Sequence, residues 1–225
     1  MGLKTPIIIV NFKTYESATG KSAEKLAKIC EKVAKVTKVN IAVAVQDADL
    51  YRVSKAVKIP VLSEHIDPID YGAHTGHTLP EDLKANGAKG CLLNHSEDRF
   101  KIDDLEKSIA KAKALKLTTV VCASSDYTAE SVAAFHPDFI AVEPPELIGG
   151  NVSVSTAKPQ IITKTIKKVN NISNIPVLCG AGIKTKTDVQ KAVELGAQGI
   201  LIASAITKSP HPGKILEQLA MGFIE

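Results

Sequence analysis

Eight short runs rich in valine and isoleucine recur along the chain, and a stretch with helical periodicity follows each of them. The runs are Ile7–Asn11, Ile41–Val45, Val61–His65, Gly90–Asn94, Thr118–Cys122, Phe139–Glu143, Val177–Gly180 and Gly199–Ala203. Continuous apolar runs are typical of strands covered on both faces, whereas strands with one solvent-exposed face alternate between apolar and polar residues. The pattern therefore predicts a parallel sheet.

The stretches between the runs carry the boundary residues of helices. Pro80 and Pro212 are placed to open helices, and Gly87 and Gly196 follow predicted helix ends. Asp47–Lys55 is a short stretch for which a helix is also predicted. Strand and helix thus alternate along the whole chain.

Eight such units without a linker or a change of composition favour closure of the sheet. We predict an α/β fold, a (β/α)8 barrel that forms a single domain over residues 1–225. An open doubly wound sheet is the alternative, and its nucleotide-binding form has a glycine-rich turn after the first strand. The residues there are Asn11-Phe12-Lys13-Thr14, which counts against it.

Composition and charge limit the function classes. The net charge of +4 mildly favours anionic ligands, but the lysines are interspersed with acidic residues, so no nucleic-acid partner is predicted. No apolar run approaches the ~18 residues that span a bilayer, and no export signal is recognised, so we predict a cytoplasmic protein without membrane contact. The cysteines are far apart, which is typical of reduced, buried thiols rather than of a metal or disulfide framework. They are Cys30, Cys91, Cys122 and Cys179.

Polar residues gather where three predicted strands end. Strand one ends in Asn11 with Lys13 two residues on, strand four runs into His95 and Glu97, and strand six ends in Glu143. Working residues of such barrels lie at the carboxyl ends of the strands, so a cation, an imidazole and a carboxylate are expected to meet there. Each alone is compatible with a surface lysine, a capping histidine or a solvated glutamate. Together they predict an active site.

Small residues follow the seventh and eighth strands. Gly180-Ala181-Gly182 and Ala203-Ser204 would let backbone N–H groups approach a phosphate closely. The loop after strand six, residues 144–150, has prolines at one end, glycines at the other and an apolar tip, as expected of a hinged lid.

These motifs resemble, in order and over essentially the whole chain, the triosephosphate isomerase family. The resemblance rests on Asn11-Phe12-Lys13, Thr75-Gly76, Asn94-His95-Ser96-Glu97, Val142-Glu143-Pro144, Ile148-Gly149, Gly180-Ala181-Gly182 and Ala203-Ser204. The segments Pro-Pro-Glu-Leu-Ile-Gly and Leu-Cys-Gly-Ala-Gly-Ile are similar to those of the short archaeal form. The resemblance implies a TIM barrel that interconverts dihydroxyacetone phosphate and D-glyceraldehyde 3-phosphate, in glycolysis and gluconeogenesis, without a cofactor.

The resemblance also implies a role for each site residue. Glu143 would be the general base, and His95 a neutral electrophile, with the start of the fourth helix disfavouring its cation. Lys13 and Asn11 would stabilise the developing oxyanion, and Glu97 would orient Lys13. Substrate or phosphate contacts are expected from Asn11, Phe12, Lys13, Ile148, Gly149, Gly180, Ala181, Gly182, Ala203 and Ser204.

Assembly is also implied. The chain is short for this barrel, for which ~250 residues are typical, so trimmed helices are expected to leave apolar surface uncovered. In the family, loop three contacts the neighbouring subunit, which would place Thr75 at an interface, and the short archaeal form is a dimer of dimers. We therefore expect a homotetramer. His74 and His77, with His65 nearby, are compatible with zinc, but no thiolate or carboxylate completes a usual ligand set, so no metal is predicted.

Two other functions remain open. A phosphate-binding aldolase would form a Schiff base on a strand-end lysine, for which Lys13 is the candidate. A catalytically silent barrel kept for binding or assembly would be expected to lack Glu143 or His95, and both are present.

Overall fold

The computed structural model describes residues 3–144 and 153–224. Eight parallel strands form a closed barrel in sequence order, and β1 pairs with both β2 and β8. The strands are β1 Ile7–Asn11, β2 Asn40–Val45, β3 Val61–Ser63, β4 Gly90–Leu93, β5 Thr118–Ala123, β6 Phe139–Val142, β7 Val177–Gly180 and β8 Gly199–Ile202. The predicted (β/α)8 barrel is confirmed, and the pairing of β1 with β8 rules out the open sheet.

Helices surround this barrel. They are α1 Lys21–Thr37, α2 Asp47–Ala56, α3 Pro80–Ala85, α4 Ile102–Ala114, α5 Asp126–Ala133, α6 Val154–Ala157, α7 Pro159–Asn170, α8 Lys186–Glu194, α9 Ser204–Thr207 and α10 Pro212–Met221, with a 3-10 turn at Glu16–Ala18. The short predicted helix is present as α2, and the two prolines open α3 and α10 as predicted. Within the described residues, no helix combines the length and apolar composition needed to cross a membrane.

Alternate residues of each strand build two apolar layers. Ile7 and Ile9 belong to the cluster that fills the barrel interior, whereas Ile8 and Val10 pack in the layer between strands and helices. Because both faces are covered, the strands are mostly apolar, which explains the continuous runs in the sequence. The cysteines are free and buried, as predicted, and Cys122 faces the interior.

Several strands end earlier than predicted. β4 ends at Leu93 because Asn94 adopts a left-handed conformation, with φ of 58°, which an extended strand does not allow. β3 ends at Ser63 and β6 at Val142, before the polar residues that the predicted runs included. β4 and β6 therefore end immediately before Asn94 and Glu143, where the polar residues of the predicted site begin.

Candidate active site

A cavity of about 250 Å3 opens at the carboxyl ends of the strands. It is lined by Asn11, Lys13, Tyr15, His95, Glu97, Glu143, Ala181, Gly182, Ile183, Lys184, Leu201, Ile202, Ala203, Ser204 and Ala205. Of the residues predicted from the sequence, it brings together Asn11, Lys13, His95, Glu97, Glu143, Ala181, Gly182, Ala203 and Ser204. Three strands therefore deliver a cation, an imidazole and a carboxylate to one space.

Strand alternation directs Glu143 into this cavity. Phe139 and Ala141 of β6 face the barrel interior, so the next residue of the same parity faces inward at the strand end. The Glu143 side chain also lies tightly against Gly180 of β7. A Cβ atom on Gly180 would collide with the Glu143 Cγ atom and stand 2.8 Å from its Oε1. Glycine at this position thus makes room for the carboxylate.

One oxygen of this carboxylate has no partner. Glu143 is only 6% exposed, and its Oε2 is buried without a hydrogen bond from the residues that the structure describes. The nearest ring nitrogen, His95 Nε2, is 3.6 Å away, which is too far for a hydrogen bond. Below it, burial and then the charge of Glu143 raise the pKa of the Cys122 thiol well above its usual range, so a neutral thiol faces the carboxylate. No donor of the described residues therefore competes with a bound molecule for this oxygen.

The turn after β4 orients the imidazole of His95. The Glu97 N–H donates to His95 Nδ1 at 3.2 Å, while Oε2 of Glu97 is farther from that nitrogen, at 3.5 Å. Because Nδ1 accepts this bond, the neutral ring carries its hydrogen on Nε2, which faces the cavity. Helix α4 begins at Ile102, so the N–H group that reaches the ring belongs to the turn before the helix.

Asn94 holds that turn in place. Its Nδ2 donates to the Cys122 carbonyl oxygen of β5 at 3.0 Å, and its Oδ1 accepts from the Phe100 N–H at 3.2 Å. Arg99 donates through Nη1 to the Asn94 carbonyl oxygen at 2.7 Å. These bonds stabilise the left-handed conformation at which the chain turns toward the cavity.

Lys13 is fixed by its two neighbours in the site. Its Nζ lies 2.8 Å from Glu97 Oε1, and its N–H donates to Asn11 Oδ1 at 3.1 Å. The Lys13 backbone is also left-handed, with φ of 50°. The Lys13 side chain is 12% exposed and that of Glu97 is 60% exposed, so the pair lies at the border between the cavity and solvent.

Some predicted contacts are not found in the cavity lining. Phe12 is fully buried in the layer between strands and helices, since it has the opposite parity to Asn11, and its N–H donates to the Ala44 carbonyl oxygen. Gly180 contacts Glu143 instead of lining the cavity. Thr75 is exposed between β3 and α3.

The lid residues Ile148 and Gly149 lie outside the described residues. Among the lining residues that were not assigned to the site from the sequence, two carry polar groups: Lys184, which adds a second ammonium group after β7, and Tyr15. Both belong to segments without a strand or a recognised motif, although Lys184 lies only two residues beyond Gly182. Within the described ranges, 3–144 and 153–224, no group of three or more potential ligand side chains is arranged to hold a metal ion.

Comparison with known proteins agrees with this geometry. Residues 6–219 match the family described as triosephosphate isomerase. The chain is 49% identical over 217 residues to the triosephosphate isomerase of Methanobacterium bryantii, covering 96% of each protein. It is 49% identical to that of Methanothermus fervidus, covering 95% of this chain and 97% of the relative. For Sulfurisphaera tokodaii the identity is 41%, with 99% of this chain and 97% of the relative covered.

Proposed function

The chain belongs to the triosephosphate isomerase family, and we propose that Glu143, His95 and Lys13 carry out its reaction. The reaction interconverts dihydroxyacetone phosphate and D-glyceraldehyde 3-phosphate, a step of glycolysis and gluconeogenesis. The supporting observation is the buried, unpartnered Oε2 of Glu143 beside the His95 ring. A base that takes a proton from carbon needs an oxygen that no other donor occupies.

Glu143 moves the proton. Its carboxylate removes a hydrogen from the carbon next to the carbonyl, which leaves an enediolate, and then returns the proton to the neighbouring carbon. The tight fit against Gly180 limits where the carboxylate can lie, and small displacements of a base are costly for such a transfer.

His95 and Lys13 stabilise the negative charge that develops on the substrate oxygens. His95 donates from Nε2–H, since its Nδ1 accepts the Glu97 N–H. Lys13 adds a positive charge, which Glu97 orients, and the Asn11 side chain lies beside it. This division between a carboxylate base and a neutral imidazole is the one known for the family.

Small residues and a second lysine suit the phosphate end of the substrate. Ala181, Gly182, Ala203 and Ser204 line the same cavity as His95 with little side-chain bulk, which leaves backbone groups accessible. Lys184 lines the same region and supplies positive charge. Closure of a lid through Ile148 and Gly149 would exclude water, which protects the enediolate from losing its phosphate.

Membership of the family also supports proposals about the domain organisation, location and assembly of the chain. We propose that residues 1–225 form one catalytic domain that acts in the cytoplasm, where glycolysis takes place. The assembly is proposed to be a homotetramer, a dimer of dimers, with exposed Thr75 at the first subunit contact. Sedimentation velocity over a wide dilution range tests this assembly, and a fully active monomer would contradict it.

A coupled assay on D-glyceraldehyde 3-phosphate with the purified chain tests the function. We expect isomerisation without added metal or cofactor. Borohydride treatment in the presence of dihydroxyacetone phosphate should leave Lys13 unmodified, as judged by mass spectrometry. Covalent trapping on Lys13 without isomerase activity would favour the Schiff-base aldolase instead.

A further inference from the structure

His65 forms a bridge between two acidic side chains beside the active site. It follows β3, and its Nδ1 lies 3.0 Å from Asp98 Oδ2, while its Nε2 lies 3.2 Å from Asp67 Oδ1. The ring also stacks on Phe100, with centroids 5.0 Å apart and planes at 25°. Each ring nitrogen thus lies within reach of a carboxylate, to one of which the neutral ring can donate and to both of which the protonated ring can donate, while Phe100 covers one face.

Asp98 belongs to the turn that carries two active-site residues. The Asp98 N–H donates to the His95 carbonyl oxygen at 2.9 Å, which closes the turn His95–Asp98. Glu97, the partner of Lys13, lies between them. A movement of the Asp98 carboxylate therefore also moves the backbone that carries His95 and Glu97.

The other end of the bridge is anchored firmly. Asp67 Oδ2 accepts the Thr78 N–H at 2.6 Å. Burial raises the pKa of Asp67, but that bond and the His65 ring outweigh it, so the pKa lies below its usual range. The backbone of His65 is itself tied to β3, since its N–H donates to the buried Ser63 Oγ at 3.2 Å. The imidazole ring of His65 thus extends from a backbone segment that is held against β3.

Packing alone does not hold the turn on this side. A cavity of about 220 Å3 lies between the turn and the residues that follow β3, and its lining includes Glu64, His65, Asp98, Lys13, His95 and Glu97. A turn that borders an empty space can shift unless a side chain spans the gap. The bridge Asp67–His65–Asp98 spans it.

We propose that His65 is a positioning residue for the isomerisation: through Asp98 it sets the place of the turn that carries His95 and Glu97. The rigid, planar ring fixes the distance between its two nitrogens, which a flexible side chain cannot do. This inference rests on the proposed role of His95. It assigns no contact between His65 and the substrate.

The test is a double-mutant cycle between His65→Phe, which keeps the stacked ring but removes both nitrogens, and Asp98→Ala. Because the Asp98 side chain is 68% exposed, its contact with His65 is screened by solvent, and we expect each substitution to lower kcat only about three- to fivefold through a slight misplacement of the catalytic groups. The double variant should be no slower than either single one, since both break the same bridge. Inhibition by inorganic phosphate should stay within about threefold, because the phosphate end is bound elsewhere.

Matched variants separate positioning from folding. Asp98→Asn, whose amide oxygen still accepts a ring N–H, should retain more activity than Asp98→Ala. His211→Gln, at an exposed histidine before α10, should leave kcat unchanged. Unchanged kcat in His65→Phe, or additive losses in the double variant, would overturn the proposal.

A second measurement does not depend on activity. In NMR spectra of the 15N-histidine-labelled protein, we expect the chemical shifts of the His95 ring nitrogens to change in His65→Phe and in Asp98→Ala. They should remain unchanged in His211→Gln. Unmoved His95 signals in the first two variants would overturn the positioning role even if the enzyme is active. Moved signals in a chain without isomerase activity would refute the proposed function and leave the bridge intact.

Discussion

The two sides of the active-site cavity hold their functional groups by different means. On the β6–β7 side, shape positions Glu143, since the absence of a side chain on Gly180 makes room for it and the neutral thiol of Cys122 interacts with its carboxylate. On the β1–β4 side, charges position the groups, through the Lys13–Glu97 pair and the bonds of the turn after β4.

The difference has physical consequences. Close packing is insensitive to salt and intolerant of a single added carbon atom, because neighbours in a dense core cannot move apart cheaply. An ion pair with a 60% exposed partner is screened by solvent and tolerates small shifts. Glu143 is thus held rigidly by packing, whereas Lys13, which meets the charged substrate, can shift slightly with its partner Glu97.

The largest effect is expected on the side held by shape. Glu143→Gln keeps the size of the side chain but removes the base, so kcat should fall at least about 1000-fold. Inhibition by inorganic phosphate should remain within about tenfold, because ground-state binding does not use the base. Steady-state kinetics with phosphate as competitor measure both, and near-normal turnover would place the base elsewhere.

On the side held by charge, Lys13→Met should lower kcat/KM about 100-fold, with both kcat and KM affected. It removes a cation that acts on the substrate before and during the transfer. Lys184→Met is the comparison: we expect about a tenfold rise in KM with little change in kcat, because Lys184 lines the cavity together with the small residues proposed to bind the phosphate. Kinetics at several ionic strengths check both, and equal effects of the two substitutions would contradict their different roles.

Gly180→Ala tests the fit around the base. The added Cβ collides with Glu143, so the carboxylate must move, and we expect kcat to fall about 30-fold. Glu143→Asp alone should also be slow, because its carboxylate is set back by about 1 Å. Combined with Gly180→Ala, the shorter side chain relieves the collision, so the losses should be less than multiplicative.

Gly213→Ala is the matched control. Its Cβ would lie 3.2 Å from a side-chain atom of Ile29, far from the cavity, and alanine is a good helix former in α10. We expect unchanged kcat. Multiplicative losses for the Gly180 and Glu143 pair would show that close packing does not position the base.

The barrel could be predicted because strands buried on both faces leave an unmistakable apolar pattern. The same regularity explains why Asn11 and Glu143 face inward where their strands end. Phe12 was assigned to the site only as a member of the Asn11-Phe12-Lys13 motif, and alternation turns it to the opposite face. Only the register of the closed barrel brings Gly180 against Glu143. His65 could not be assigned a role, because its partners come from two loops whose approach no local pattern encodes.

The side held by charge also contains a carboxyl group in an unfavourable position. Glu64 Oε1 is buried without a hydrogen bond from the described residues. Burial raises the pKa of Glu64 to about 7, and the charges of Asp47 and Glu97 add to this, while the Lys13 N–H and ammonium oppose it. Because the pKa is raised in the folded state, the neutral form folds without penalty at low pH. The penalty develops as the pH rises from the ordinary carboxyl range toward 7.

Glu64→Gln is therefore expected to stabilise the protein, by about 2 kcal/mol above pH ~7.5 after allowance for partial exposure, and by little below pH ~4.5. Urea unfolding at both pH values and one protein concentration measures the difference. Glu194→Gln, at a 65% exposed glutamate, should change stability by less than about 0.5 kcal/mol at either pH. An equal gain from Glu64→Gln at both pH values would mean that the amide gains a hydrogen bond of its own. A lower stability of Glu64→Gln at high pH would mean that the surroundings of Glu64 stabilise its carboxylate. The charged side of the cavity would then contain no unfavourably buried charge at this residue.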